Sequence, residues 1–128
     1  MKIKMHQIFK VLDIYSRVKG LKVPAKVAYK FNKLCIGLDE DSKFYNDELN
    51  KIFQQYAEKD ENGNFKRTEA GGVEIKDDQI EVAQKELDNL VNLEVETPDI
   101  TFSIDELDGL ELSIEDFNAM LPFIKEEE

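Results

Sequence analysis

A chain of 128 residues with 41% apolar and 35% charged side chains has the commonest size of a single domain; it is too hydrophobic for a disordered tail and too charged for a membrane protein. Its formal net charge of −11 is uneven: residues 1–36 carry nine Lys or Arg against one acid, Asp13, while the other 92 residues hold eight bases and 27 acids. No stretch reaches the roughly 20 uninterrupted apolar residues of a membrane span, and Met1-Lys2-Ile3-Lys4 leads into a mixed pattern without an apolar signal core, so a water-soluble cytoplasmic chain is expected.

Met5, Ile8, Phe9, Leu12, Tyr15 and Val18 recur at helical spacing and predict a first helix over 4–19, with Gly20 placed to take a left-handed cap. Val23-Pro24 restarts the chain, because proline is tolerated in a first helical turn, where its missing N–H is not needed. Val27, Phe31, Leu34, Leu38, Tyr45, Leu49, Ile52 and Tyr56 then share one stripe; Leu34 to Tyr45, Leu38 to Leu49 and Tyr45 to Tyr56 are each 11 apart, a period of about 3.67 that keeps one face of a helix. A second helix over 24–58 would be roughly 50 Å long at about 1.5 Å per residue. Gly37 with Asp39-Glu40-Asp41-Ser42 marks the point where it could divide in two.

Asp60-Glu61-Asn62-Gly63-Asn64 and Gly71-Gly72 are turn signals, and the alternating runs Phe65–Thr68 and Val73–Ile75 beside them suit a β-hairpin. Asp77 or Asp78 can cap a third helix, with Glu81 completing a box and Ile80, Ala83, Leu87, Leu90 and Val91 as its buried stripe to about Asn92. Leu93-Glu94-Val95-Glu96 alternates like a half-buried strand, and Ile100-Thr101-Phe102 follows Pro98. The tail then repeats itself: Ser103-Ile104-Asp105-Glu106-Leu107 and, ten residues on, Ser113-Ile114-Glu115-Asp116-Phe117 each place a capping serine three residues before an acid, so each opens a short helix.

These elements predict a mainly helical α+β domain: two long antiparallel helices, a third helix packed on them, and a small sheet from residues 65–75 and 93–102. One domain over 1–128 is expected, divided into a helical region 4–59, a hairpin 60–76, a helix 77–92, a strand with short capped helices 93–124 and a loose tail 125–128. Its core should include Ile8, Phe9, Leu12, Tyr15, Val27, Phe31, Leu34, Leu38, Leu49, Ile52, Phe53, Ile80, Leu87, Leu90, Val95, Phe102, Leu112 and Phe117.

Catalytic chemistry finds no constellation. His6 has no Ser or Cys nucleophile near it in sequence, Cys35 falls in the apolar region of helix 2, and there is no phosphate-binding glycine loop. One cysteine and one histidine exclude an internal disulfide and a structural zinc site, so no enzyme and no cofactor are expected. The run from Glu58 to Glu69 has calcium-loop spacing, with oxygen donors Glu58, Asp60, Asn62 and Asn64 and a closing Glu69 around Gly63. Position 1 is Glu where the shorter Asp fits, and Ala70-Gly71-Gly72 cannot start the exiting helix, so an Asn-Gly turn is the default reading.

Three surfaces remain as candidates. Lys19, Lys22, Lys26, Lys30 and Lys33 form a basic face suited to phosphates, although no nucleic-acid motif accompanies them and the net charge opposes binding. Asp105, Glu106, Asp108 and Glu111, among other acids of residues 94–116, could imitate a phosphate array. Tyr45, Leu49, Ile52 and Tyr56 would need cover from a protein partner or a second copy if helix 2 outruns the domain.

Leu21-Lys22-Val23-Pro24-Ala25-Lys26-Val27-Ala28-Tyr29-Lys30, then Tyr56-Ala57-Glu58-Lys59-Asp60-Glu61-Asn62-Gly63-Asn64, a helix ending Leu93-Glu94-Val95-Glu96, and Leu110-Glu111-Leu112-Ser113 before a last short helix stand in an order that resembles a family of small proteins encoded by tailed bacteriophages and prophages of low-GC Gram-positive bacteria. The resemblance spans about residues 10–124. It implies an origin and carries no residue roles, since the family is a domain of unknown function. Phage genomes use such small proteins as virion or assembly components, or as binders that disable a host or anti-phage defence protein. A virion structural or assembly component acting by protein binding is the first expectation, in the host cytoplasm or the virion; a soluble acidic inhibitor that mimics nucleic acid is the second, and nucleic-acid binding by the basic N-terminal helices the third.

Overall fold

The computed structural model describes residues 1–125. The chain is mainly helical with one small antiparallel sheet, an α+β arrangement, in the order β1 (Lys2–Lys4), α1 (Met5–Val18), α2 (Ala25–Tyr56), α3 (Ile80–Val91), β2 (Glu94–Glu96), α4 (Ile104–Asp108) and α5 (Ile114–Met120). Single 3-10 turns at Asp77–Gln79 and Leu121–Phe123 precede α3 and follow α5. Packing groups the residues into two compact units, Met1–Ser42 with Glu94–Glu128 and Lys43–Leu93; α2 starts in the first and ends in the second.

In the first unit, α1 begins where the Gln7 side chain accepts the Lys4 amide at 2.7 Å. It ends through Lys19 N–H to the Tyr15 carbonyl and Leu21 N–H to the Val18 carbonyl, both 2.9 Å, and Gly20 has no positive φ. The expected left-handed cap is therefore replaced by right-handed turns. The Pro24 carbonyl accepts the amides of Val27 and Ala28, so proline stands just ahead of α2. No break follows at Gly37. The helix runs through it unbroken, with the Pro98 ring packed 3.5 Å from where a Cβ would stand.

Met5, Ile8, Val11, Ile14 and Val18 of α1 and Val27, Phe31, Leu34, Cys35 and Leu38 of α2 are buried. The α2 stripe is as expected, whereas that of α1 is rotated: Phe9, Leu12 and Tyr15 are half-buried at its flank. The apolar arc of α1 is wider than one stripe, and packing against α5 selects which part is covered. Phe102 and Phe123 complete this core; Phe102 N–H donates to the Phe123 carbonyl at 2.7 Å, and its ring lies 4.6 Å from that of Phe31. Leu107, Leu110 and Met120 are buried as well, while Leu112 and Phe117 are half-buried.

The sheet differs from expectation. Glu94–Glu96 pairs antiparallel with Lys2–Lys4 and not with residues 65–75, in the register Lys2 to Glu96, Ile3 to Val95 and Lys4 to Glu94. Alternation explains the choice: Ile3 and Val95 both face inward, and each outward lysine stands opposite an outward glutamate. Of the expected loose tail, Lys125 is tied by its amide to the Phe102 carbonyl at 2.8 Å, and 126–128 lie outside the described residues.

The second unit contains an eight-residue repeat. Residues 57–64, 65–72 and 73–76 begin with Ala57, Phe65 and Val73, and Gly63 and Gly71 occupy the same place in the first two, with φ of +80° and +88°. These are left-handed turn positions, which glycine adopts without steric penalty. Glu58 N–H donates to the Glu74 carbonyl, Glu74 N–H to Lys66 and Lys66 N–H to Glu58, each at 2.9 Å, so every run is bonded to both others. The expected hairpin is thus one edge of a three-run ring. Phe65 meets Phe53 of α2 edge-on, with ring centroids 6.0 Å apart. In α3, Ala83 and Leu90 are buried, but Ile80 is exposed, and no side chain caps the helix, because the 3-10 turn occupies the position expected of Asp77 or Asp78.

Candidate protein-docking surface

The basic and acidic stretches of the chain meet within the first unit. Arg17 of α1 forms a two-pronged pair with Asp116 of α5, Nη1 to Oδ2 at 2.8 Å and Nη2 to Oδ1 at 2.7 Å. Asp116 also closes its own capping box, its amide donating to Ser113 Oγ at 3.0 Å and its carboxylate accepting the Ser113 amide at 3.2 Å. The guanidinium hydrogen bond chiefly, helped by Ser113, holds its pKa down to about 2. Lys30 of α2 donates to Glu106 Oε1 at 2.7 Å, and its ammonium lies 5.6 Å from the Phe102 ring centroid. Glu106 has the matching box with Ser103, at 2.9 and 3.1 Å, and Lys30 followed by the Ser103 amide holds its carboxyl below the usual range. Each serine–acid repeat therefore caps a short helix and anchors it to a base on a long one.

That arrangement sorts the charges. Of the basic face, Lys30 is half-buried and neutralised by Glu106, which weakens the case for phosphate binding; Lys19, Lys22, Lys26 and Lys33 are exposed and have no ion-pair partner among the described residues. Lys33 lies 5.8 Å from the ring centroid of Tyr29. Of the acidic surface, Glu106 turns inward, while Asp105, Asp108 and Glu111 are exposed.

Between α1, the 19–24 connection and the start of α2 lies an open groove of about 400 Å³, lined by Tyr15, Val18, Leu21, Val23, Tyr29 and Phe31 among others. Leu21 is 52% and Tyr29 63% exposed at its lip, and Ile36, two turns along α2 from Tyr29, is 60% exposed. Large apolar side chains this open, with Lys19 in the groove lining and Lys33 beside Tyr29, make this face the candidate docking surface. The sequence reading missed these three residues. Their signal was available: each is apolar yet out of phase with the buried stripe.

The other candidates are placed differently. Tyr45, Leu49 and Ile52 are half-buried, and Tyr56 is buried with its hydroxyl on Glu86 of α3, so Tyr56 offers no surface to a partner. Glu58 belongs to the three-run ring, and Asp60 Oδ1 accepts the amides of Asn62 at 2.9 Å and Asn64 at 3.0 Å, closing an Asx turn; Glu69 lies in the following turn. The five calcium-loop residues are not gathered into a cage, and no group of three or more His, Cys, Asp or Glu able to hold a metal ion occurs among the described residues. Cys35 is buried and its thiol is pushed up to about 12 by burial first and Asp39 second; His6 is exposed on α1. No helix among the described residues is long and apolar enough to cross a membrane. Compared with protein-family models, with curated proteins and with solved structures, the chain matches none.

Proposed function

We propose that this chain is a non-enzymatic protein-binding module of tailed-phage or prophage type, serving as a virion structural or assembly component in the host cytoplasm or the virion. The reading is supported by the groove beside α1 and α2, where Leu21 and Tyr29 stand open to solvent beside Lys19, and by Ile36, exposed two turns farther along α2. Burying one such side chain is worth about 1.5–3 kcal/mol, so these residues would be the apolar anchors of a complex whose remaining contacts offset the cost of association.

The test is recovery of the tagged chain from phage-producing cells, wild type beside Leu21→Glu with Tyr29→Glu. Co-purification of the wild type with virions or assembly intermediates, lost in the variant, is the expected result. A chain that stays with a host protein through Asp105, Asp108 and Glu111 would replace this reading with that of an acidic inhibitor, and a chain recovered alone in every fraction would end both.

A further inference from the structure

The Lys30–Glu106 pair stands in the wall of a separate cavity of about 370 Å³, lined by Lys26, Lys30, Thr101, Ser103, Glu106 and Lys125. All six belong to the first unit. Lys26 and Lys30 are one turn apart on α2, and Lys125 comes from the segment after α5, where its amide donates to the Phe102 carbonyl at 2.8 Å and the Phe102 amide donates to the Phe123 carbonyl at 2.7 Å. Those two bonds set Lys125 beside Thr101 and Ser103.

The charge on these walls does not balance. Glu106 Oε1 accepts from Lys30 at 2.7 Å and from the Ser103 amide at 2.9 Å, and Oε2 has no hydrogen-bond partner, so Glu106 neutralises Lys30 alone. Lys26 and Lys125 are exposed and have no ion-pair partner among the described residues, which leaves three cations against one anion in a chain whose net charge is −11. Gathering like charges costs free energy that a bound counter-charge recovers. Two hydroxyls stand with them: Ser103 Oγ accepts the Glu106 amide at 3.1 Å and keeps its own hydrogen to donate, and Thr101 is exposed.

We propose that this cavity binds the phosphoryl group of a small-molecule phosphomonoester, with Lys26 and Lys125 as its charge partners and Thr101 and Ser103 as hydroxyl donors. Such a group carries about −1.5 to −2 charge at neutral pH and three acceptor oxygens, which fits a surplus of two positive charges and the donors around it. A carboxylate, with a single charge, would leave one lysine uncompensated. Sites for small molecules hold roughly 300–1,000 Å³, so the cavity has room for the esterified group beside the phosphoryl. An extended phosphate backbone would call on Lys19, Lys22 and Lys33 as well, and these do not line the cavity.

The experiment is isothermal titration of the full chain with glycerol 3-phosphate, inorganic phosphate and glycerol, at about pH 7.5 and about 0.15 M chloride. Three proteins are compared: wild type; Lys26→Met with Lys125→Met; and Lys43→Met with Lys85→Met, which removes the same charge from exposed positions of the second unit. Wild type is expected to bind glycerol 3-phosphate with a Kd of about 1 mM or tighter and to ignore glycerol; the cavity variant loses roughly tenfold or more, and the second-unit variant keeps the wild-type affinity. Inorganic phosphate bound as tightly as the ester supports a site for free phosphate, and weaker binding supports the ester. No binding of either phosphate up to about 10 mM, or an equal loss in both variants, overturns the site, the second result by showing only diffuse attraction to positive charge. Because the cavity shares no residue with the groove beside α1, its failure leaves the docking surface as it stands.

Discussion

Replacing Gly37 with alanine tests the continuity of α2 at the position where the sequence suggests a division. Glycine in the interior of a helix is less favourable than alanine by roughly 0.5–1 kcal/mol, because it retains more freedom in the unfolded chain. That gain is realised only if the new methyl fits. A Cβ built at Gly37 stands 3.5 Å from both Cδ and Cγ of Pro98, ordinary van der Waals contact and no closer, and the position has no positive φ. Nothing must move, and the methyl gains apolar contact with the proline ring. Gly37→Ala is therefore expected to stabilise the chain by about 0.5–1 kcal/mol, which for a chain of this size raises Tm by roughly 2–5 °C. Thermal unfolding followed by far-ultraviolet circular dichroism reads this directly. A lowered Tm would show that the backbone at Gly37 needs a conformation alanine cannot adopt, and the unbroken helix over Ala25–Tyr56 would be wrong.

Removing Lys30 leaves the Glu106 carboxylate, whose Oε2 is already buried without a hydrogen-bond partner, facing only the Ser103 amide, so Lys30→Met is expected to cost about 1–3 kcal/mol in urea unfolding. Adding Glu106→Gln should recover part of that loss, and an unchanged loss would mean the ion pair is not what Lys30 contributes. Asp116 titrates at about 2 in the folded chain against an ordinary 3.8, so its stabilising effect is complete above pH about 4 and is lost as the pH falls toward about 2. Asp116→Asn should flatten that limb of the stability profile, and an unaltered acid limb would count against the Arg17 pair. The Cys35 thiol, buried and raised to about 12, is expected to resist a maleimide near neutral pH in the folded chain and to react promptly in denaturant; rapid labelling of the native protein would contradict its burial.

Features encoded by neighbours in sequence were legible in advance. The stripe Val27, Phe31, Leu34 and Leu38 marks the buried face of α2 by its spacing alone, and Ser103 with Glu106 and Ser113 with Asp116 announce both capping boxes within four residues. Pairings between distant segments were not. Lys2–Lys4 is too short for its alternation to register as a strand, and its partner Glu94–Glu96 lies some ninety residues away, so neighbouring run 65–75 looked the better mate. The phase of α1 was ambiguous for a similar reason: Phe9 and Val11 are equally apolar, and only the packing of α5 decides between them. The groove escaped notice because Leu21 lies in the connection between helices, while Tyr29 and Ile36, two turns apart on α2, face away from the buried stripe that the periodicity picks out. The repeat of Gly63 and Gly71 at a spacing of eight was visible in the sequence and would have pointed to three runs in place of two.

The ring formed by Glu58, Lys66 and Glu74 means that at its waist no strand edge is left unsatisfied. A ribbon of two runs would offer a neighbouring molecule a row of bare amides and carbonyls; winding a third run around the first two removes that invitation to stack. It also fixes the number of windings, since a fourth would find no vacant donor to join. The bends at Asp60–Asn64 and Thr68–Gly72 stand outside this belt, so their side chains can be rewritten without loosening it, provided each keeps its glycine and the side chain, Asp60 or Thr68, that accepts the bend's amides.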